Sequence, residues 1–215
     1  MQPSTYQRGL ALSGILFVAL IVAAFVITTN QVDESASPTK AFTYWNDHQN
    51  AEIVSALLVH AAAVAFVFFG AGLRSALRGG EGEESTYSVI AFGGAVFAAV
   101  GFVIAAWVSL AAATAADQGA REAVNTLNQL NSVNWIPFTA GLSVMMLGAG
   151  IGGLRTVALP KAISWIAIVL GVGFFTPVGP AGFLVLPFWV IAVSLILYRG
   201  QRESTGSAAT AGSPA

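Results

Sequence analysis

NTLNQLNSVNWIPFTAGLSVMMLGAGIGGLRTVALPKAISW, residues Asn125–Trp165, holds a polar approach, an apolar span, a glycine-lined face, a basic stop and a proline restart. Asn125, Asn128, Asn131 and Asn134 recur every third residue, so successive side chains are neighbours on a helix while the row drifts round it. Trp135 stands where an aromatic marks a membrane boundary. Pro137 comes next at an early-helix position, where its missing N–H is tolerated. The apolar run then presents Gly148 and Gly152, a GxxxG spacing that lets another helix approach closely. Arg155 closes the run, Pro160 cannot continue it, and Lys161 and Trp165 open the next. The stretch reads as a membrane helix with an interfacial first half, a turn, and the start of a further span.

Composition agrees with that reading. Of 215 residues, 56% are hydrophobic and 9% are charged, against about 25% charged in ordinary globular chains. Mean hydropathy is +0.75. So little ionisable surface cannot cover a soluble domain of this size, and the class is an integral membrane protein. A net charge of −1 argues against nucleic acid, which needs a basic field. The absence of cysteine excludes disulfides, thiolate nucleophiles, iron–sulfur clusters and cysteine-ligated zinc.

The same grammar recurs along the chain. A cytoplasmic lead of residues 1–9 precedes a six-helix transmembrane domain over 10–199, and 200–215 should form a disordered tail with nothing to bury. Spans are expected at about 10–29, 50–77, 88–114, 133–155, 160–176 and 181–198. The first is longer than a typical secretory leader and is read as a retained helix, with a cleaved leader as the alternative. Residues 30–50 form the longest polar connection, with Phe42, Tyr44 and Trp45 suited to a headgroup belt and Asn46 with Gln49 as a capping pair. Gly93, Gly94 and Gly101 give the third span a small-residue face for helix packing, as Gly148 and Gly152 do for the fourth.

Orientation is set by the basic residues, which favour the cytoplasmic side. With six spans one side receives Arg8, Arg74, Arg78, Arg155, Lys161, Arg199 and Arg202, and the other Lys40 and Arg121. Seven against two predicts both termini in the cytoplasm of a plasma-membrane protein. Phe69-Gly-Ala-Gly-Leu-Arg74 also resembles Leu147-Gly-Ala-Gly-Ile151 with its continuation to Arg155. Either an internal parallel repeat or chance likeness between two small-residue helix ends accounts for the echo.

The Asn- and Leu-rich lead, Leu154-Arg155-Thr156, Leu159-Pro160-Lys161 and Trp165 resemble a group of small bacterial polytopic membrane proteins known as a domain of unknown function. In that group a basic residue and two tryptophans come after the proline, and here Ala162 stands where the first tryptophan is expected. The resemblance implies a six-helix membrane protein and brings no catalytic or binding residue.

Candidate sites are few. His60 is the one ionisable residue well inside a span. It is either structural, satisfied by a neighbouring hydroxyl or carbonyl, or part of a ligand site with Asn131 and Asn134 at its mouth. His48 is twelve residues earlier, about 18 Å along a helix, so the two histidines cannot ligate one haem iron within the chain, and a haem would need a lone axial histidine or a site shared across a dimer. Asp47, His48 and Glu52 crowd one helix start but lack the further ligands a metal needs, and a solvated helix start is the plainer reading. No cofactor, metal or catalytic residue is expected. The residues point to a non-enzymatic accessory, stabilising or sensing subunit that meets the bilayer and packs with itself or another membrane protein. The alternative is a small-molecule or lipid binding or transport protein with a cavity near His60.

Overall fold

In a computed structural model the structure describes residues 5–28, 36–82, 85–176 and 179–211. Parts of the sequence reading therefore lie outside the described residues: residues 1–4 of the amino-terminal lead, residue 29 at the end of the first span, residues 30–35 of the long connection, Glu83–Glu84, Pro177–Val178 and the last four residues of the tail. The described chain is helical, with no strand: α1 (Thr5–Ile27), α2 (Pro38–Asp47), α3 (Gln49–Glu81), α4 (Thr86–Asp117), α5 (Arg121–Ser132), α6 (Ile136–Thr156), α7 (Lys161–Gly173) and α8 (Gly179–Ala211). Five stretches are long and apolar enough to cross a membrane: Gly9–Ile27, Gln49–Glu81, Thr86–Asp117, Arg121–Thr156 and Ala181–Arg199. Their outer faces stay apolar, with Phe25, Trp107, Leu184 and Phe188 each at least 64% exposed. Such a surface suits hydrocarbon rather than water. At 13 residues α7 is shorter, about 20 Å against the roughly 30 Å of a bilayer core.

Small side chains decide how the helices approach. Ala91, Gly94, Ala98 and Gly101 line one face of α4, and Gly141, Met145 and Gly148 line the facing side of α6. A Cβ added at Gly94, Gly101, Gly141 or Gly148 would come within 2.7 Å of the opposite helix's backbone. The two backbones touch, which maximises dispersion contact where hydrophobic burial drives little. α3 packs on the other side of α4 with Gly70 against Ala95, and α1 packs on α3 with Leu10 against Gly72. A run of rings then crosses the bundle: Phe17–Phe66 at 4.5 Å, Phe66–Phe102 at 5.9 Å, Phe102–Phe138 at 4.9 Å, Phe138–Phe183 at 5.1 Å and Phe183–Phe174 at 5.4 Å. It joins α1, α3, α4, α6, α8 and the residue just after α7 in one core.

The structure departs from the sequence reading in the connections. Part of the polar connection folds as α2, started by Pro38 and by Ser37, whose hydroxyl accepts the Lys40 N–H at 3.4 Å. The Asn46–Gln49 cap does not form. The helix breaks at His48, whose side chain makes no cap bond, and Asn46 instead donates to Asp47 at 3.3 Å. The asparagine row is likewise a separate helix, α5, joined to α6 by a turn at 133–135. The backbone of α8 stays helical to Ala211, beyond the end expected for the last span. Of the paired glycines of the echo, Gly72 and Gly150 meet different helices, α1 and α7, while Gly70 and Gly148 share one. Gly70 meets the helix after its own, whereas its counterpart Gly148 meets α4, which comes before its own, so both press on α4. That favours two similar helix ends converging on one neighbour over a structural repeat.

Candidate functional site

The bundle has two unlike ends. One is covered by a collar of α2 and α5, and the other carries Arg74, Arg78, Arg155 and Lys161.

The collar is built from polar groups that find one another. α2 lays Trp45, 1% exposed, onto Ala112, Ala113, Ala115 and Ala116 of α4 and Val124 of α5. The indole N–H donates to Asn128 Oδ1 at 3.0 Å, giving the buried ring the partner it requires. Trp45 is thus a core residue rather than a headgroup-belt aromatic, because the α4 alanines leave room for a whole indole. Beside it the Tyr44 hydroxyl donates to Glu52 Oε1 at 2.6 Å, and the His48 ring stacks on Tyr44 with centroids 4.6 Å apart. Burial, and then the adjoining Glu52 carboxylate, hold the Tyr44 phenol above its ordinary range, so it stays a donor at any physiological pH. Glu52 is 1% exposed with Oε1 taken by Tyr44, so this helix start is not the solvated one that the sequence suggests. Among the described residues no group of three His, Cys, Asp or Glu could hold a metal. Arg121 covers the Phe42 ring at 4.6 Å and closes the collar from the α5 side.

Three of the row's four asparagines, Asn128, Asn131 and Asn134, are equally committed. Asn134 donates to the Ala105 carbonyl at 3.0 Å and to Asn131 Oδ1 at 3.3 Å, and Ser109 donates to the same Asn131 oxygen at 3.5 Å. Asn131 and Asn134 therefore pin the α5–α6 turn to α4. No hydrogen bond joins either of them to His60, which lies on α3. The His60 ring is half-buried, and its Nδ1 bonds the Ala56 carbonyl of its own helix at 2.8 Å. The sequence brought these three residues together as a candidate site. In the structure His60 is bonded within its own helix, whereas Asn131 and Asn134 are bonded to α4.

Among the packing glycines, Gly94, Gly101 and Gly148 lie in the α4–α6 seam, and Gly152 meets Tyr87 Cβ at 2.9 Å in the first turn of α4. Gly93 stands apart, with nothing within 4 Å of an added Cβ. Gly141 belongs to the seam and escaped the sequence reading. Its signal was the seven-residue step from Gly141 to Gly148, matched by Gly94 to Gly101 on the partner helix. The GxxxG face is thus occupied inside the chain.

At the other end, Arg155 lies over Tyr87 at 5.0 Å and Arg74 over Phe92 at 5.6 Å. Glu81 is turned to the start of α4, where its Oε1 accepts the Ser88 N–H at 2.8 Å. Trp165 is 58% exposed one turn beyond Lys161, and Trp135 is half-buried at the start of α6. Both positions suit interface aromatics.

Comparison with protein-family models, with curated proteins and with solved structures finds no match to this chain. The functional reading therefore rests on its own geometry.

Proposed function

We propose that the chain is a six-span plasma-membrane protein with both termini in the cytoplasm, acting as a non-enzymatic accessory, stabilising or sensing subunit. Kinship with the six-helix bacterial group is part of the same proposal. One observation carries it: the polar side chains at the collar end are tied to one another, Trp45 to Asn128, Tyr44 to Glu52 and Asn134 to Asn131. That end offers a set surface instead of free reactive groups, and a set surface is what a partner subunit or a sensor presents. The Nδ1 of His60 is bonded to its own helix, which favours the structural role for that residue over the binding or transport alternative.

The sixth crossing has its own support. Phe183 near the start of α8 lies 5.1 Å from Phe138 near the start of α6, which supports α6 and α8 starting at one end with α7 returning the chain between them. The absence of cysteine makes the topology directly testable. Thr126→Cys in the collar is expected to react with a membrane-impermeant maleimide on intact cells, and Val157→Cys only after permeabilisation. The reverse pattern would overturn the orientation, and a carboxy-terminal reporter found outside would overturn the sixth span.

For the function itself, native mass spectrometry of protein extracted gently from its own membrane is expected to find a stoichiometric second polypeptide. That polypeptide should be lost when exposed Thr126 and Gln129 are both replaced by Arg. His60→Ala should cost no more than about 1 kcal/mol in thermal unfolding and leave the assembly intact. A small molecule carried by the native protein and released by His60→Ala would sink the subunit reading in favour of a binding site.

A further inference from the structure

Helix α3 ends in a groove of about 390 Å³ lined by Ala71, Arg74, Ser75, Arg78 and Gly79. Arg74 and Arg78 are four residues apart, so their side chains stand on one face about 6 Å apart at Cβ. The other lining residues are small, and an added Cβ at Gly79 would meet nothing within 4 Å. Two guanidiniums thus flank an open floor that offers the Ser75 hydroxyl as a further donor.

The groove is short of negative charge. Arg74 Nε is buried with no hydrogen-bond partner, and among the described residues neither arginine has a carboxylate bound to it. The nearest help is the Phe92 ring under Arg74, which attracts the cation without satisfying its N–H groups. Glu81, the acid closest along the helix, turns Oε1 to capping α4, while its buried Oε2 also has no hydrogen-bond partner and makes no bond to either arginine. A buried guanidinium N–H left without an acceptor is costly; an oxyanion in the groove does not reach the buried Nε, but it balances the charge of half-buried Arg74 and exposed Arg78 through charge-assisted bonds to the accessible parts of the two guanidiniums.

The surroundings select the kind of anion. Above the groove the same side of α3 presents Leu57, Val64 and Phe68, exposed by 62%, 58% and 48%. An apolar track that runs into a pair of arginines fits a molecule with an anionic head and long hydrocarbon chains. A free phosphate would use only half of it.

We infer that this groove is a binding site for one anionic phospholipid, its phosphodiester held between Arg74 and Arg78 and its chains lying along Leu57, Val64 and Phe68. The inference needs only that α3 lies in a bilayer and is independent of the subunit role. Binding there places the lipid against the α3–α4 contact, where Arg74 meets Phe92, so the lipid ties the two helices at their basic end.

The test uses the full chain, delipidated in a neutral detergent and titrated with phosphatidylglycerol or phosphatidylcholine, with bound lipid counted by native mass spectrometry. One phosphatidylglycerol should be retained in preference to phosphatidylcholine. Arg74→Gln with Arg78→Gln should weaken it about thirtyfold, each neutralised arginine contributing a factor of about five. Gly79→Leu fills the groove while keeping both charges and should weaken it comparably, which separates the site from any folding defect of the double variant. Arg155→Gln with Lys161→Gln removes equal charge at the same end outside the groove and should leave retention unchanged. Equal retention of both lipids, undiminished binding in the Arg74/Arg78 variant, or equal loss in the Arg155/Lys161 variant would overturn the inference. Displacement of the lipid by millimolar inorganic phosphate would assign the groove to a free phosphate and overturn it as well.

Discussion

Gly141→Val is expected to keep the bundle from assembling. Gly141 sits at the middle of the α4–α6 seam, where an added Cβ would fall within 2.7 Å of the Phe97 carbonyl carbon and closer still to Ala98. The obstructing atoms are backbone, which cannot rotate aside as a side-chain tip can. To admit even one methyl group the helices must separate along their length. Separation also loosens Gly94 against Met145 and Gly101 against Phe138, and it spreads the Phe102–Phe138 stack beyond 4.9 Å. The expected cost is about 4 kcal/mol or more, at the upper end for a single substitution, against a total stability of about 5–15 kcal/mol. Thermal unfolding followed by circular dichroism in mild detergent measures it. Gly93→Val is the control, since the space beside Gly93 is open, and it should unfold within a few degrees of the native chain. If both variants behave alike, the seam does not hold the bundle together. Gly148→Leu belongs with Gly141→Val, so any loss of oligomers in that variant must first be shown not to be loss of fold.

The collar gives the second large effect. Trp45→Ala removes the largest buried side chain of the collar and strands Asn128 Oδ1 without its donor. Truncation of a buried Trp costs about 3–5 kcal/mol, and an orphaned buried acceptor adds about 1–3 kcal/mol. The loss is local, because the collar cluster of Trp45, the α4 alanines and Val124 is separate from the core of the span. Detachment of α2 from α5 is therefore expected with the spans intact, a sub-global opening. Val124→Cys reads it out. That position is fully buried, so the thiol should be protected from maleimide in the native background and labelled rapidly with Trp45→Ala. Trp45→Phe keeps most of the volume and should open only slightly. Equal protection in all three would mean that α2 is held by something other than Trp45.

How much of this could be read from the chain alone depends on which physical effect decides each feature. Class and helical character come from composition and from run length, because a chain with 56% hydrophobic residues and 9% charged residues can satisfy its backbone in hydrocarbon only by forming helices or a closed barrel. Helix ends came from local chemistry: Pro160 before α7, Arg155 near the end of α6 and the polar residues after Ile27 act within a few residues of themselves. Gly94, Gly101, Gly148 and Gly152 were legible as packing positions because only small residues let helices touch, yet nothing in their own helices distinguishes them from Gly93. The difference is whether a neighbour stands opposite.

Partner choice is a tertiary property in every other case as well. The row Asn125–Asn134 shows hydrogen-bonding capacity, but Trp45, 83 residues from Asn128, and Ala105, 29 residues from Asn134, are what fill it. Trp45 has the composition of a belt aromatic and becomes core only because alanines at 112, 113, 115 and 116 face it. The unpaired Nε of Arg74 is invisible in a sequence that reads Arg74 and Arg78 simply as topology anchors. Length, apolar runs and charge bias thus determined by themselves that this is a bundle of apolar helices. The fold alone decided which glycines carry it, which asparagines are taken and which arginine nitrogen is buried without a hydrogen-bond partner, since each depends on what another helix brings within a few ångströms.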